Sequence, residues 1–269
     1  MTRGRSVIRV IACTLAAGWL LLGTAGAQAD DKGTEIMSKV AENRRLAGSE
    51  AIVEMRIINE KGETRTRKLK MATKLSDDGK TEKRIYRFLE PEDVKGTGVL
   101  VFDHEEKADD IWIFLPALRK SRRVVSSERS QSFMGSEFTY GDLNIPVLSE
   151  YSYKYIGDEE QGGEPCFKVE VTPKPGTKSD GYQKKTYWIS KKSYAVRRGL
   201  YYDKNGKLLK ELLTQDIRLL DKDKNRWRTT RMEMINKQNG RRSVFVTRQV
   251  AFKPNTKEEF FTTRFLERQ

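Results

Sequence analysis

The sequence predicts a mainly β protein built on one strongly curved antiparallel sheet or barrel, and three observations point there. From about residue 50 to residue 252 apolar side chains recur mainly with a period of two, the spacing that lines one face of a strand. The stretches are short, and most are joined by turn sequences such as Asp203-Lys204-Asn205-Gly206 and Asn239-Gly240. One of them, residues 110–115, is apolar on both faces, as a strand is where both sides are covered.

Residues 1–29 stand apart from this pattern. Arg3, Arg5 and Arg9 precede an apolar run over residues 10–23, and Ala27-Gln28-Ala29 supplies small residues for a signal peptidase, so cleavage is expected before Asp30. Cys13 lies inside the apolar run and not at the cleavage point, which excludes it as a lipidated residue. Residues 30–269 are expected to form one domain, since no linker rich in Pro, Gly or Ser and no repeat divides them.

The spacing predicts a helix over residues 31–47, where Ile36, Met37, Val40 and Ala41 share a face, Thr34 is available as a cap, and Gly48 and Ser49 end the run. Alternation then begins at Glu50, with Ala51, Val53, Met55 and Ile57 on one side and Glu54 and Arg56 on the other. The next strands are expected at 64–75, with Leu69, Met71 and Leu75 on one face, and at 83–89. Further strands follow at 98–103, 110–115, 119–125, 151–156, 166–172, 184–190, 195–202, 208–218, 226–236 and 243–252. Two segments break the rhythm. Residues 90–97, with Pro91 and Gly96, read as a loop or one helical turn. Residues 126–148 carry Phe133, Met134, Phe138 and Tyr140 among Ser and Gly, and read either as a lid or as a surface loop whose aromatics tuck into the core.

Composition narrows the function. A hydrophobic content of 37% supports a core and excludes wholesale disorder. Only one apolar run approaches spanning length, which excludes a polytopic membrane protein. One His and two Cys exclude most multi-ligand zinc sites and any disulfide framework. The net charge of +11 that residues 30–269 keep points to anionic lipid headgroups or other envelope polyanions rather than to nucleic acid.

The residues offer little enzyme chemistry. His104, in Asp103-His104-Glu105-Glu106-Lys107, reads as a solvated hairpin tip, and no G-x-S-x-G elbow appears. Cys166 sits in an alternating run as a packed thiol. The neighbouring carboxylates Asp109 and Asp110, and Glu258 and Glu259, read as solubilising charge. A calcium loop fails on both available frames: the one that uses Gly206 starts at Tyr201 and ends at Leu212, and the one near Asp221 has Arg226 in place of glycine.

Binding is better supported. In residues 110–115, Ile111, Ile113 and Leu115 share one face and Trp112 and Phe114 the other, which suits a curved sheet around a helix with a cavity between them, or ordinary core. Arg119, Lys120, Arg122 and Arg123 follow at once. Placed at the edge of an apolar cavity, these cations would hold an amphiphile's anionic head; otherwise they are solvated surface.

At these residues the chain resembles the LolA-like outer membrane lipoprotein-sorting proteins, in the branch often found beside large resistance-nodulation-division (RND) type exporters. The motifs that carry the resemblance are Phe88-Leu89-Glu90-Pro91 with Lys95-Gly96-Thr97, then Trp112-Ile113-Phe114-Leu115-Pro116 with Arg122-Arg123. Ser132-Phe133-Met134-Gly135-Ser136-Glu137-Phe138 with Asp142-Leu143 completes them. The resemblance implies an unclosed antiparallel β-barrel, a LolA/LolB-like half-barrel, with an α-helical lid over its concave apolar face. It implies a periplasmic carrier of lipoprotein acyl chains or other lipid, without enzymatic activity, cofactor or metal. Its partners would be an inner-membrane RND-type transporter and an outer-membrane acceptor; the runner-up role is an exporter accessory with no lipid cargo. Trp112 and Phe114 are expected as cavity wall, with Val53, Met55 and Met71 as further lining. Phe133, Met134 and Phe138 are expected as lid contacts, and Arg122 and Arg123 as the charged mouth.

Overall fold

The computed structural model describes residues 24–177 and 180–268. The expected signal segment lies outside the described residues as far as residue 23, and its last residues begin helix α1 (Thr24–Arg44). A first run of strands follows: β1 (Gly48–Ile58), β2 (Thr64–Leu75), β3 (Thr81–Glu90), β4 (Gly98–His104), β5 (Asp110–Leu115) and β6 (Lys120–Arg123). After a long segment come β7 (Tyr151–Gln161), β8 (Glu164–Pro173), β9 (Lys184–Ser190), β10 (Val196–Tyr202), β11 (Leu208–Asp221), β12 (Arg226–Asn236) and β13 (Arg242–Phe252). A four-residue helix, α2 (Thr263–Leu266), closes the described chain. Among the described residues no helix is long and apolar enough to cross a membrane.

All thirteen strands join one antiparallel sheet in the order β6-β5-β4-β3-β2-β1-β13-β12-β11-β10-β9-β8-β7. Consecutive strands pair except β6 and β7, and β1 pairs with β13 at the centre. The sheet stays open, with β6 and β7 as its two edges. Residues 124–150 therefore run from one open edge to the other. Side chains from strands as far apart in the sheet as β3 and β10, among them Tyr86 and Tyr201, line one cavity, so the sheet curls around it.

Every expected strand is present, with small shifts at the ends. Helix α1 stops at Arg44, three residues early, and β1 starts at Gly48 rather than Glu50. Glycine is needed at Gly48 because a Cβ there would stand 2.2 Å from the Lys253 carbonyl oxygen, on the chain leaving β13. Ile36, Met37 and Val40 of α1 pack on Tyr151, Tyr153, Val169, Val171 and Ile189, so the helix lies across β7–β9.

Strand β5 corrects an expectation. Directly paired residues share a face, and Val99 and Val101 of β4 stand opposite Ile113 and Ile111 on the concave side. Leu100 stands opposite Trp112 and Gly98 opposite Phe114, so Trp112 and Phe114 point to the convex side. There they pack with Ala72, Ile85, Phe261 and Leu266 beneath the C-terminal helix. Arg87 fastens that helix, its Nη2 donating to the carbonyls of Phe265 at 3.1 Å and Leu266 at 2.7 Å.

Candidate functional site

A cavity of about 280 Å³ lies between α1 and the concave face of the sheet. The helix contributes Met37, Val40 and Arg44; the strands contribute apolar lining such as Val53, Leu69, Met71, Leu212 and Met234. The alternation that places these residues inside is the strand periodicity itself, since β1 buries Ala51, Val53 and Met55 in turn.

The segment over residues 124–150 fills much of the concave side. Phe133 is 1% exposed and its ring meets Tyr86 at 5.8 Å, Tyr140 at 5.6 Å, Phe245 at 6.3 Å and Phe88 at 6.4 Å between centroids. Phe138 lies 4.5 Å from Phe245. A tight turn presents both rings: Phe133 N–H donates to the Phe138 carbonyl at 2.7 Å, and Met134 and Gly135 both take positive φ, 50° and 77°. The aromatics of this segment thus tuck into the main core, the second of its two sequence readings, and form an aromatic plug on the concave side.

Two buried polar clusters anchor the plug. In the first, Arg84 Nη2 donates to Asp103 Oδ2 at 2.7 Å and to Asn144 Oδ1 at 2.6 Å, while Nη1 donates to the Leu143 carbonyl at 2.7 Å. Ile145 N–H also donates to Asp103, at 2.9 Å, and Asp109 accepts from Asn144 and Arg129, each at 2.7 Å. Arg44 of α1 reaches the carbonyls of Leu143 and Asn144 at 3.0 and 3.2 Å, which ties helix to plug. Burial works against the Arg84 charge, but Tyr86, Asp103, Glu82 and Asp109 outweigh it and raise its pKa. Burial likewise raises the Asp103 carboxyl above its usual range, against the pull of Arg84.

The second cluster sits toward β9–β12. Lys210 Nζ donates to the Glu137 carbonyl at 2.6 Å and to the Tyr182 hydroxyl at 3.2 Å, and that hydroxyl donates to Asp142 at 3.0 Å. Asn236 and Arg241 meet the Glu137 carboxylate at 3.0 and 3.1 Å. Lys185 pairs with Asp180 beside them. Burial pulls the Lys185 pKa down, but Tyr187, Asp180, Tyr151 and Asp142 outweigh it and hold the ammonium above its usual range.

Of the side chains expected at the site, the structure brings Val53, Met71, Phe133 and Phe138 to the cavity wall. Met55 is fully buried in the same apolar cluster without reaching the wall, and Met134 packs against that cluster half-buried. Trp112 and Phe114 are on the other face of the sheet. Arg122 and Arg123 form no mouth: both are exposed on the free edge strand β6, Arg122 paired with Glu128 at 3.0 Å and Arg123 with Asp110. Asp109, expected as solubilising charge, is instead a buried anchor with its side chain fully covered. His104 ends β4 between Thr81 Oγ1 and Asp110 Oδ2, each at 3.0 Å, a structural bridge rather than a solvated tip.

The sequence reading missed the charged anchors. Their signal was the phase of β3, where Glu82 and Arg84 share the period-two face of Tyr86 and Phe88 and must therefore point inward.

Cys166 lies outside the site, buried, with its thiol pushed up to about 11 by burial first and by Glu164 second. It should resist iodoacetamide at pH 8 in the folded protein and react fully in denaturant, which mass spectrometry reads directly. Comparable rates in the two states would place the thiol in contact with solvent.

An open antiparallel half-barrel, with a helix and a long plug covering a concave apolar face, defines the LolA-like class of folds. The comparisons agree. A family model with the description uncharacterized protein matches residues 80–268. A domain from Vibrio parahaemolyticus, named as an outer membrane lipoprotein-sorting protein, is 33% identical with a TM-score of 0.81, over 89% of this chain and 100% of that one. A DUF1329 family protein from Desulfovibrio piger is 28% identical with the same TM-score, over 88% of this chain and 99% of the other. A LolA superfamily protein from Nitrosomonas europaea shares the fold at a TM-score of 0.65 and 19% identity, over 87% of this chain and 98% of that one. No curated protein matches. The chain belongs to the family of the outer membrane lipoprotein-sorting protein domain from Vibrio parahaemolyticus, and its fold is LolA-like.

Proposed function

We propose that residues 30–269 act, after removal of the signal segment, as a periplasmic carrier that shelters the acyl chains of a lipoprotein or free lipid between the two membranes. The observation that supports this reading most directly is the apolar cavity under α1, closed by aromatic residues of the plug. Each methylene moved out of water contributes about 0.8 kcal/mol, so an acyl chain is held by apolar area alone and needs no catalytic group. At about 280 Å³ the cavity lies just below the range of about 300–1,000 Å³ that encloses a drug-sized ligand. Acyl chains therefore enter by displacing Phe133 and Phe138 from the concave face.

The test is native mass spectrometry of the protein purified from a periplasmic extract without detergent, followed by organic extraction. A stoichiometric acylated species is expected. Filling the cavity with Val196→Trp and Met232→Trp, both half-buried lining positions, should remove that species, whereas Trp112→Ala on the convex face should leave it. Protein that is empty in every preparation would overturn the carrier reading.

A further inference from the structure

The cations that the sequence reading placed at the cavity mouth sit elsewhere, and their surroundings suggest another role. Strand β6 is an open edge of the sheet; Lys120, Arg122 and Arg123 on it and Arg119 just before it are all exposed. Leu118 and Val125 bracket this strip. They are 67% and 53% exposed, and with Ile156 they are the large apolar side chains most open to solvent among the described residues. The strip is also rigidly backed. Ser121 N–H on β6 donates to Glu267 at 3.1 Å, and Val125 N–H just beyond it donates to Glu128 at 3.0 Å, so carboxylates of this chain already cap part of that edge.

Charge on an edge strand ordinarily prevents sheets from pairing edge to edge, and that accounts for the four cations. It does not account for two apolar side chains left in water at either end of them. Cations flanked by exposed apolar residues are what a surface needs to sit on an anionic bilayer, the charges reaching phosphates and the apolar tips entering the acyl boundary. The carboxylates already on the strip do not oppose this. Arg119 and Lys120 have no ion pair with a carboxylate among the described residues, and Arg122 and Arg123 remain 53% and 61% exposed at the side chain despite their pairs.

We propose that the β6 edge, from Leu118 to Val125, is a docking strip for an anionic lipid surface. It leads directly into the plug at residues 124–150, so a docked molecule would present the cover of its cavity to the membrane. The docking is independent of what the cavity holds.

The experiment is co-sedimentation of the full chain, freed of its signal segment, with vesicles of phosphatidylglycerol and phosphatidylcholine in equal parts, and with phosphatidylcholine alone. Binding to the anionic vesicles is expected, falling as salt is raised, with little binding to the zwitterionic ones. Replacing Arg119, Lys120, Arg122 and Arg123 together with Gln should lower the apparent affinity by about a hundredfold. The protein is basic overall, so a matched variant is needed. Lys204, Lys207, Lys222 and Lys224, exposed on turns away from β6, changed together to Gln should lower affinity only a few-fold by comparison, about threefold. Leu118→Ser with Val125→Ser should weaken binding about tenfold at high salt, where only the apolar contribution remains. Equal losses from the two sets of cations would overturn the proposal, since binding would then follow net charge and not this strip. So would a lack of sedimentation with anionic vesicles at low salt, or concentration-dependent self-association through β6 in its place.

Discussion

Replacing Arg84 with Leu is expected to lower stability by about 3–5 kcal/mol, because it breaks a buried ion pair from one side. The Asp103 carboxylate is fully buried, and without Arg84 it keeps only the Ile145 N–H as a donor. The guanidinium also holds Asn144 Oδ1 and shares the Leu143 carbonyl with Arg44, so the same substitution leaves the Asn144 acceptor unpaired and the carbonyl with Arg44 alone. A urea titration followed by tryptophan fluorescence checks this. Asp103→Asn in the same chain should restore part of the loss, because a neutral amide no longer brings an uncompensated charge indoors. Acid should narrow the deficit as well. Asp103 titrates above its ordinary value of 3.8 when folded, and loss of Arg84 raises it further. Between the two values the folded variant binds the extra proton, so its stability declines as pH rises through that window and returns as pH falls toward 3.8. A deficit that stays constant from neutral pH down to the ordinary aspartate range would remove Asp103 as its cause.

Much of this architecture was legible in the residues, for a physical reason. A sheet whose two faces differ in polarity writes its strands as alternation, and Gly, Asn and Asp mark the turns, so every strand could be placed within a few positions. The turns set the neighbours within β1–β6 and within β7–β13, whereas the pairing of β1 with β13 joins residues far apart in sequence and no turn announces it. Facing direction was legible only where one face meets water. Along β5 both faces are covered, Ile111 and Ile113 by the plug side and Trp112 and Phe114 by α2, which arrives from the end of the chain. No local pattern distinguishes those faces, and a one-residue change of phase exchanges them. The basic run after β5 misled for a related reason, because its closeness in sequence to Trp112 suggested a shared cavity that the true facing does not provide. The buried charges of the plug were hidden differently. Glu137, Asp142 and Asn144 sit in a stretch rich in Ser and Gly, which reads as solvated until Arg84 and Lys210 are known to face it.

Phe133→Ala should separate the plug's structural role from its role as a gate. Removing a fully buried phenyl ring costs about 3–5 kcal/mol, the lost transfer free energy adding to that of the space left behind. Here the space would not be isolated. Phe133 already lines the cavity of about 280 Å³, so its removal joins the vacated volume to a pocket lined by Val53, Leu69 and Met234. The plug's backbone stays fixed, because its polar anchors at Asn144, Glu137 and Asp142 do not involve this ring. The variant is therefore expected to melt lower and yet hold more apolar ligand than the parent, read as acylated species per protein by native mass spectrometry or as increased binding of an apolar dye. Met134→Ala, on a side chain that packs beside the cluster without reaching the wall, should cost less and leave the ligand content unchanged. A stability loss at Phe133 with no gain in ligand would mean that the ring is core alone, and that acyl chains, if carried, enter without passing it.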